Sequence, residues 1–207
     1  SMRIIVNGAC GRMGQTLLRL IAQQPERYTL AAAVDPRGDG ETVLQSFDAA
    51  PQADIIIDFS HHSAVTELLA YAQAVNTPVI VATTGHTPEE RALIEAAGKK
   101  IPVFYSGNMS LGIALLCSLA KKTAAVFPDA DIEIVETHHR HKLDAPSGTA
   151  LMLADAIRES RPAAQNHCGR SGMCPREEGE IGIHAIRRGE IVGIHEVQIS
   201  TGTRSEE

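Results

Sequence analysis

The sequence predicts an α/β protein in two parts: a Rossmann-type nucleotide domain with a parallel sheet, then an α+β domain. Three observations carry this. Short, continuously apolar runs alternate with helical patterns up to about Tyr105, as they do where a parallel sheet is covered on both faces. A glycine-rich turn separates the first apolar run from the first helical one. Beyond Asn108 the alternation stops, and a long helical stretch gives way to strand-like runs and one further helix.

The elements follow in order. Arg3 to Asn7 is an apolar strand that ends at glycines, and Met13 to Ala22 carries Leu17, Leu18, Leu20 and Ile21 at helical positions. Tyr28 to Val34 reads as a second buried strand, stopped by Asp35-Pro36. Ala53 to Asp58 and Pro78 to Ala82 are the third and fourth, with a helix from about Ser63 to Val75 between them. A helix from Pro88 to Lys99 precedes a fifth strand, Pro102 to Tyr105. The domain boundary is placed at Gly107, giving 1–107 and 108–207.

In the second part, Leu111 to Val126 is helical. Its apolar run is too short to span a bilayer and ends in Lys121-Lys122, so a buried interdomain helix is expected. Asp131 to Glu136 reads as a strand and Ser147 to Glu159 as a helix. Arg161 to Gly179 mixes proline, glycine and charge without periodicity and is expected to be a mobile loop. Ile181 to Ile186 and Ile191 to Ile199 are β-like, and Arg187 to Glu190 between them reads as a hairpin turn.

Composition removes several classes of function. The chain has 207 residues, 43% of them hydrophobic, an ordinary content for a globular protein. A formal charge of −6 argues against a nucleic-acid partner, and the absence of Trp removes a common base-stacking group. No apolar run suits a membrane span. Met2-Arg-Ile-Ile-Val leads straight into a strand, so no signal peptide is expected, and Ser1 reads as the remnant of a tag. The irregularly spaced cysteines are expected to be reduced, in a cytoplasmic setting.

Gly8-Ala-Cys-Gly11-Arg-Met-Gly14 lies between the first strand and first helix, where backbone N–H groups and the helix dipole hold a pyrophosphate. The cofactor loop therefore comprises Gly8, Cys10, Gly11, Arg12, Met13 and Gly14. Asp35 ends the second strand about twenty residues on, where an acid binds the ribose hydroxyls. Asp35 repels a 2′-phosphate and so favours NADH, while Arg37 is placed to accept that phosphate and leaves NADPH open. Phe59, Ala82-Thr83-Thr84-Gly85 and Ser106, Asn108 and Met109 lie at the carboxyl ends of later strands, where an open α/β sheet binds its ligand.

The densest chemistry is Glu136-Thr-His-His-Arg-His-Lys-Leu-Asp-Ala-Pro-Ser-Gly-Thr-Ala150. A strand delivers imidazoles, an arginine and a lysine onto the start of a helix, and both parts suit an anionic substrate. Zinc is the obvious rival for His138, His139 and His141. On an extended strand His138 points away from the other two, and Arg140 and Lys142 repel a dication, so no metal is expected. His167, Cys168 and Cys174 fall short of a ligand set. Cys10 and Cys117 read as tolerated small and core residues. His184 and His195, alternating with aliphatics, are expected at partly exposed or interface positions, and Glu133 and Glu136 are equally compatible with orienting neighbours and with a solvated strand face.

The glycine fingerprint, Asp58-Phe-Ser60, Ala82-Thr-Thr-Gly85, Asn108-Met-Ser-Leu-Gly112, the Glu136–Ala150 motif and Ile181 to Glu196 together resemble the 4-hydroxy-tetrahydrodipicolinate (dihydrodipicolinate) reductase family. The resemblance implies hydride transfer from NAD(P)H to a small cyclic dicarboxylate in lysine and diaminopimelate biosynthesis. It implies a substrate domain whose sheet builds a homotetramer, and a further strand and closing helix past Glu207. By motif position His138 resembles the general acid and Lys142 the residue that binds substrate and assists protonation. His139, Ser147, Gly148 and Thr149 resemble carboxylate-binding groups. Two alternatives are carried forward: another amino-acid-pathway dehydrogenase, and a non-catalytic nucleotide-binding module that kept the fold.

Overall fold

The computed structural model describes residues 1–202. The chain divides into two compact units, Ser1–Met109 and Ser110–Glu207. In the first, strands β1 (Met2–Asn7), β2 (Tyr28–Val34), β3 (Ile55–Asp58), β4 (Val79–Val81) and β5 (Val103–Tyr105) form a parallel sheet of order β2-β1-β3-β4-β5. Helices α1 (Arg12–Gln23), α2 (Val65–Ala74) and α3 (Pro88–Gly98) follow β1, β3 and β4. Ile5, Ile56, Val79 and Val81 are buried with Leu68 and Leu69 of α2, and Ile4, Val6 and Ile21 fill the opposite side. Burial on both faces explains why these strands read as unbroken apolar runs. The strand order reverses between β1 and β3, the switch point at which such sheets hold a ligand.

In the second unit the sheet has the order β7-β8-β6-β9, built from β6 (Asp131–His138), β7 (Gln165–Cys168), β8 (Glu180–Arg187) and β9 (Ile194–Ser200). Helices α4 (Leu111–Val126) and α5 (Gly148–Arg158) cover one face. There Ile132, Ile134, Ile181 and Ile183 meet Leu153, Ala154 and Ile157 of α5 and Ala120 and Ala124 of α4, all nearly or fully buried.

Four expectations are corrected here. β8 and β9 are not a hairpin, because β6 lies between them, parallel to β8 and antiparallel to β9. Ile132 and Ile134 of β6 are fully buried. Placing this strand at an edge would leave a row of its backbone polar groups unpaired. Residues 188–193 therefore cross the carboxyl end of β6. Second, the stretch read as a mobile loop contains β7, paired in parallel with β8. As a short polar edge strand it carries no alternation to read. Arg170 pairs with Glu180, and Arg176 with Asp131 at 2.9 Å and with Glu133, so the residues after β7 are tied to the sheet. Third, α4 is not a buried helix: Leu111, Leu115 and Leu119 form an exposed stripe on it. Fourth, β6 runs on to His138, which places the first histidine of the motif inside the sheet.

Candidate active site

In the first unit the nucleotide cradle is built by close backbone approach at the switch point. Gly8 adopts φ +81°, and a Cβ there would lie 2.5 Å from the Phe59 carbonyl carbon. A Cβ on Gly14 would lie 2.1 Å from the Gly8 carbonyl oxygen. Only glycine fits at either position. α1 starts at the N-cap Gly11, which has no side chain to engage the first-turn N–H groups, and that turn holds no acidic residue. Those donors suit an anion. Beneath the cradle Asp58 is buried and accepts from Asn7 Nδ2 at 2.9 Å and Thr83 Oγ1 at 2.9 Å, tying together the carboxyl ends of β1, β3 and β4.

Two cavities flank Phe59, Ser60 and His61. One, of about 440 Å³, is lined also by Arg12, Met13, Ala82, Thr83 and Thr84; the other, of about 430 Å³, by Gly8, Gly11, Asp35 and Arg37. Cys10 reaches the second through its N–H, which donates to Asp35 Oδ2 at 3.0 Å. Gly85 adopts φ +86° beside His62, and Gly107 abuts Thr84 so closely that a Cβ would sit 2.7 Å from its methyl group. Ser106 Oγ donates to the Asn108 carbonyl at 2.7 Å, shaping the turn that leads to Met109. His61 and His62 were not singled out from the sequence. His62 is held by Glu90 at 2.8 Å, the same carboxylate that closes the capping box of α3. An unaligned histidine pair gives no local signal of that role.

Asp35 is 3% exposed. Burial acts most strongly and raises its pKa, but hydrogen bonds from Arg37 and Cys10 outweigh it, so the carboxyl titrates below the ordinary range. Arg37 approaches Asp35 Oδ1 at 3.2 Å with a largely exposed side chain. Asp35 thus already carries its own cation.

In the second unit the apolar face of β6 continues past Ile134 into Glu136 and His138, since alternate residues share a face. Glu136 is 0% exposed. Its Oε2 accepts from His138 Nδ1 at 2.6 Å and from Arg187 Nη1 at 2.8 Å; its Oε1 accepts from Arg187 Nη2 and from the Ser147 N–H, both at 2.9 Å. Burial is the largest influence on Glu136 and raises its pKa. Arg187, His138 and Ser147 together oppose it and bring the value to about 2. An ionised carboxylate only accepts, so His138 Nδ1 carries a hydrogen and Nε2 is left for proton exchange. The solvated-face reading of Glu136 is set aside: the residue orients its neighbours.

Past His138 the chain turns. Residues 188–193 clasp the turn, with Arg188 N–H donating to the His138 carbonyl at 2.9 Å and Arg140 N–H to that of Gly189 at 3.0 Å. Lys142 Nζ lies 2.7 Å from Asp144 Oδ1. His139 is half-buried, and its ring centroid is 6.4 Å from that of the exposed His141. Ser147 caps α5, its Oγ accepting from Ala150 N–H at 3.1 Å, with Gly148 and Thr149 in the first turn. Among the described residues no cluster of three or more His, Cys, Asp or Glu is arranged to hold a metal ion. Arg187 and His195 are site residues that sequence reading missed. His195 is partly exposed, as expected, and lies opposite Glu136 across the β6/β9 ladder, its Nε2 3.1 Å from Ser147 Oγ. His184 pairs with Glu133 at 2.7 Å on the far face of the sheet.

The arrangement joins an oriented imidazole, an ammonium and the start of a helix, a combination that can protonate and hold a small anion. Comparison with known proteins shows the family. Family models described as "Dihydrodipicolinate reductase, N-terminus" and "Dihydrodipicolinate reductase, C-terminus" match residues 2–109 and 112–205. A 4-hydroxy-tetrahydrodipicolinate reductase of Caldanaerobacter subterraneus subsp. tengcongensis is 44% identical over 201 residues, covering 95% of this chain and 80% of that protein. One from Alkaliphilus metalliredigens is 41% identical over 197 residues, covering 94% and 79%. Among solved structures, dipicolinate-bound dihydrodipicolinate reductase from Paenisporosarcina sp. TG-14 superposes with a TM-score of 0.71 at 26% identity, covering 98% of this chain and 84% of that one.

Proposed function

The chain belongs to the dihydrodipicolinate reductase family, and on that premise we propose how its residues carry out the NAD(P)H-dependent reduction of a cyclic dicarboxylate. The reaction is that of a 4-hydroxy-tetrahydrodipicolinate reductase, in lysine and diaminopimelate biosynthesis. One observation carries the residue roles: a single buried carboxylate, Glu136, holds both the proton donor His138 and the N–H of Ser147 at the start of α5. Acid and anion site are thereby fixed to each other.

The nucleotide supplies a hydride. The Gly8–Gly14 cradle fits its pyrophosphate, because side chains are excluded there and the first turn of α1 offers unpaired donors. Hydride addition to the conjugated ring shifts an electron pair to the far end of that system, and the His138 imidazolium delivers its Nε2 proton there to complete the reduction; this leaves the neutral imidazole, still bound to Glu136 through Nδ1–H, which takes up a proton from solvent. Lys142 exchanges Asp144 for a substrate carboxylate. The Ser147 hydroxyl, the Gly148 and Thr149 N–H groups and His139 hold a second one.

We assign cofactor binding to residues 1–107, and substrate binding and homotetramer formation to 108–207. Ile186 and Ile194, exposed on the sheet face away from α4 and α5, support that use of the second sheet. No nucleic-acid or membrane partner is proposed, and no helix among the described residues is long and apolar enough to cross a membrane. The free cysteines Cys10, Cys117, Cys168 and Cys174 fit a cytoplasmic setting.

The test follows NADH oxidation with substrate generated in place from pyruvate and aspartate semialdehyde by the preceding synthase. Synthase-dependent turnover is expected. Tight NADH binding without it would favour the non-catalytic module. Lys142→Ala is expected to raise KM by roughly tenfold or more, the worth of a charge-assisted hydrogen bond, and to lower kcat as well. For the cofactor, Asp35 neutralised by Arg37 predicts that kcat/KM for NADH and NADPH differ by less than about tenfold, with NADH ahead. Arg37→Ala is expected to remove NADPH use selectively. A strong NADPH preference in the unaltered chain would overturn the role given to Asp35.

A further inference from the structure

We propose that His195 is a positioning residue for substrate binding: it holds the Ser147 hydroxyl so that the hydroxyl proton is directed to a substrate carboxylate. This rests on the reading of the α5 start as a carboxylate site. β9 places His195 opposite Glu136, on the sheet face that Val197 and Ile199 share with the core. Its ring meets the His138 ring edge-on, with centroids 5.1 Å apart and planes at 72°. Gly193 completes the packing. A Cβ there would lie 2.9 Å from His138 Nε2 and 3.6 Å from His195 Cε1, so the approach of residues 188–193 leaves both rings little freedom.

Donor counting gives the fixed ring its role. A serine hydroxyl has one proton and two lone pairs. One lone pair of Ser147 Oγ accepts the Ala150 N–H, and His195 Nε2 occupies the second position 3.1 Å away. When Nε2 carries its hydrogen, both lone pairs are engaged and the hydroxyl proton is available outward. When Nε2 is bare, the hydroxyl proton is spent on it and the substrate side of Ser147 offers no donor. The two neutral tautomers are close in energy in a free imidazole, so a bound carboxylate selects the form with Nε2–H. Burial, followed by the neighbouring His138, lowers the His195 pKa, which keeps this choice one between neutral forms near neutrality. His195 thus acts on substrate through Ser147 and exchanges no proton with it.

The experiment measures KM for the cyclic dicarboxylate, and Kd for dipicolinate and for NADH, in Ser147→Ala, His195→Phe, His195→Gln and the Ser147→Ala/His195→Phe double variant, with Tm recorded for each. His195→Phe keeps the ring volume and loses the donor. It is expected to weaken dipicolinate by roughly tenfold and raise KM in step, with NADH affinity retained. His195→Gln, whose amide N–H can donate to Ser147, is expected to recover most of that loss. The double variant should bind dipicolinate no more weakly than Ser147→Ala alone, since coupling through one hydroxyl is non-additive. Equal impairment in the Phe and Gln variants would show a packing role and overturn the proposal, as would additive losses in the double variant. Should Ser147→Ala leave dipicolinate binding unchanged, the carboxylate site itself is misplaced and the proposal falls with it. Losses in Ser147→Ala with none in His195→Phe would remove only His195.

Discussion

His138→Gln is expected to lower kcat by at least about 100-fold while changing KM by much less, because general acid catalysis contributes on that order and more. The residue it replaces is 8% exposed, and its ring is held at Nδ1 by Glu136. Glutamine fills similar space and can donate an amide N–H to the same carboxylate, so fold and substrate binding are preserved. It cannot release a proton, so the electron-rich centre left by hydride addition must take one from water. A loss shared equally by kcat and kcat/KM marks an interaction made only in the transition state. Steady-state NADH oxidation in the synthase-coupled assay decides the matter. An unchanged kcat would take His138 out of the chemistry.

The second large effect concerns Glu136. Glu136→Gln replaces an acceptor of hydrogen bonds from His138, Arg187 and Ser147 with a neutral amide, and leaves the Arg187 guanidinium without its counterion. Removing one partner of a buried ion pair costs on the order of 3 kcal/mol. At this chain length that corresponds to a fall in Tm of roughly 6–12 °C. Activity should fall too, since His138 loses the acceptor that fixes its ring and tautomer. The effect depends on pH with a definite sign. The folded pKa of Glu136, about 2, lies below its ordinary value of 4.5, so its contribution to stability is fully present above 4.5 and is lost as pH falls toward 2. The Tm gap between the unaltered chain and Glu136→Gln should therefore narrow across that acid window, as thermal unfolding at a series of pH values will show. A gap that widened on acidification would contradict the assignment of Glu136 as the ionised hub.

Both experiments probe a site that was only partly legible beforehand. The parallel sheet and its helices could be read because strands buried on both faces and amphipathic helices write their periodicity into contiguous residues, as Ile4–Val6 and Leu17–Ile21 do. The cradle was legible for the same reason: Gly8, Gly11 and Gly14 stand close together, at a turn the chain could not otherwise make. The second unit resisted. β7 is a polar edge strand with nothing to alternate, and the apparent turn at Arg187 to Glu190 hid a crossing over the end of β6, since local turn residues do not say which strand a segment will pair with.

What the sequence by itself determined was the chemistry available: a glycine cradle, an acid with an arginine beside it, and a histidine and lysine delivered to the start of a helix. Tertiary structure alone decided which of those groups are held and by what. Glu136 and Arg187 stand 51 residues apart, and Ser147 and His195 stand 48 apart. No local spacing joins such pairs. They meet because the buried isoleucines of β6 and β8 make these the inner strands of the sheet, and β8 and β9 flank β6 in a register that brings Arg187 and His195 to Glu136, where burial makes each remaining hydrogen bond compulsory.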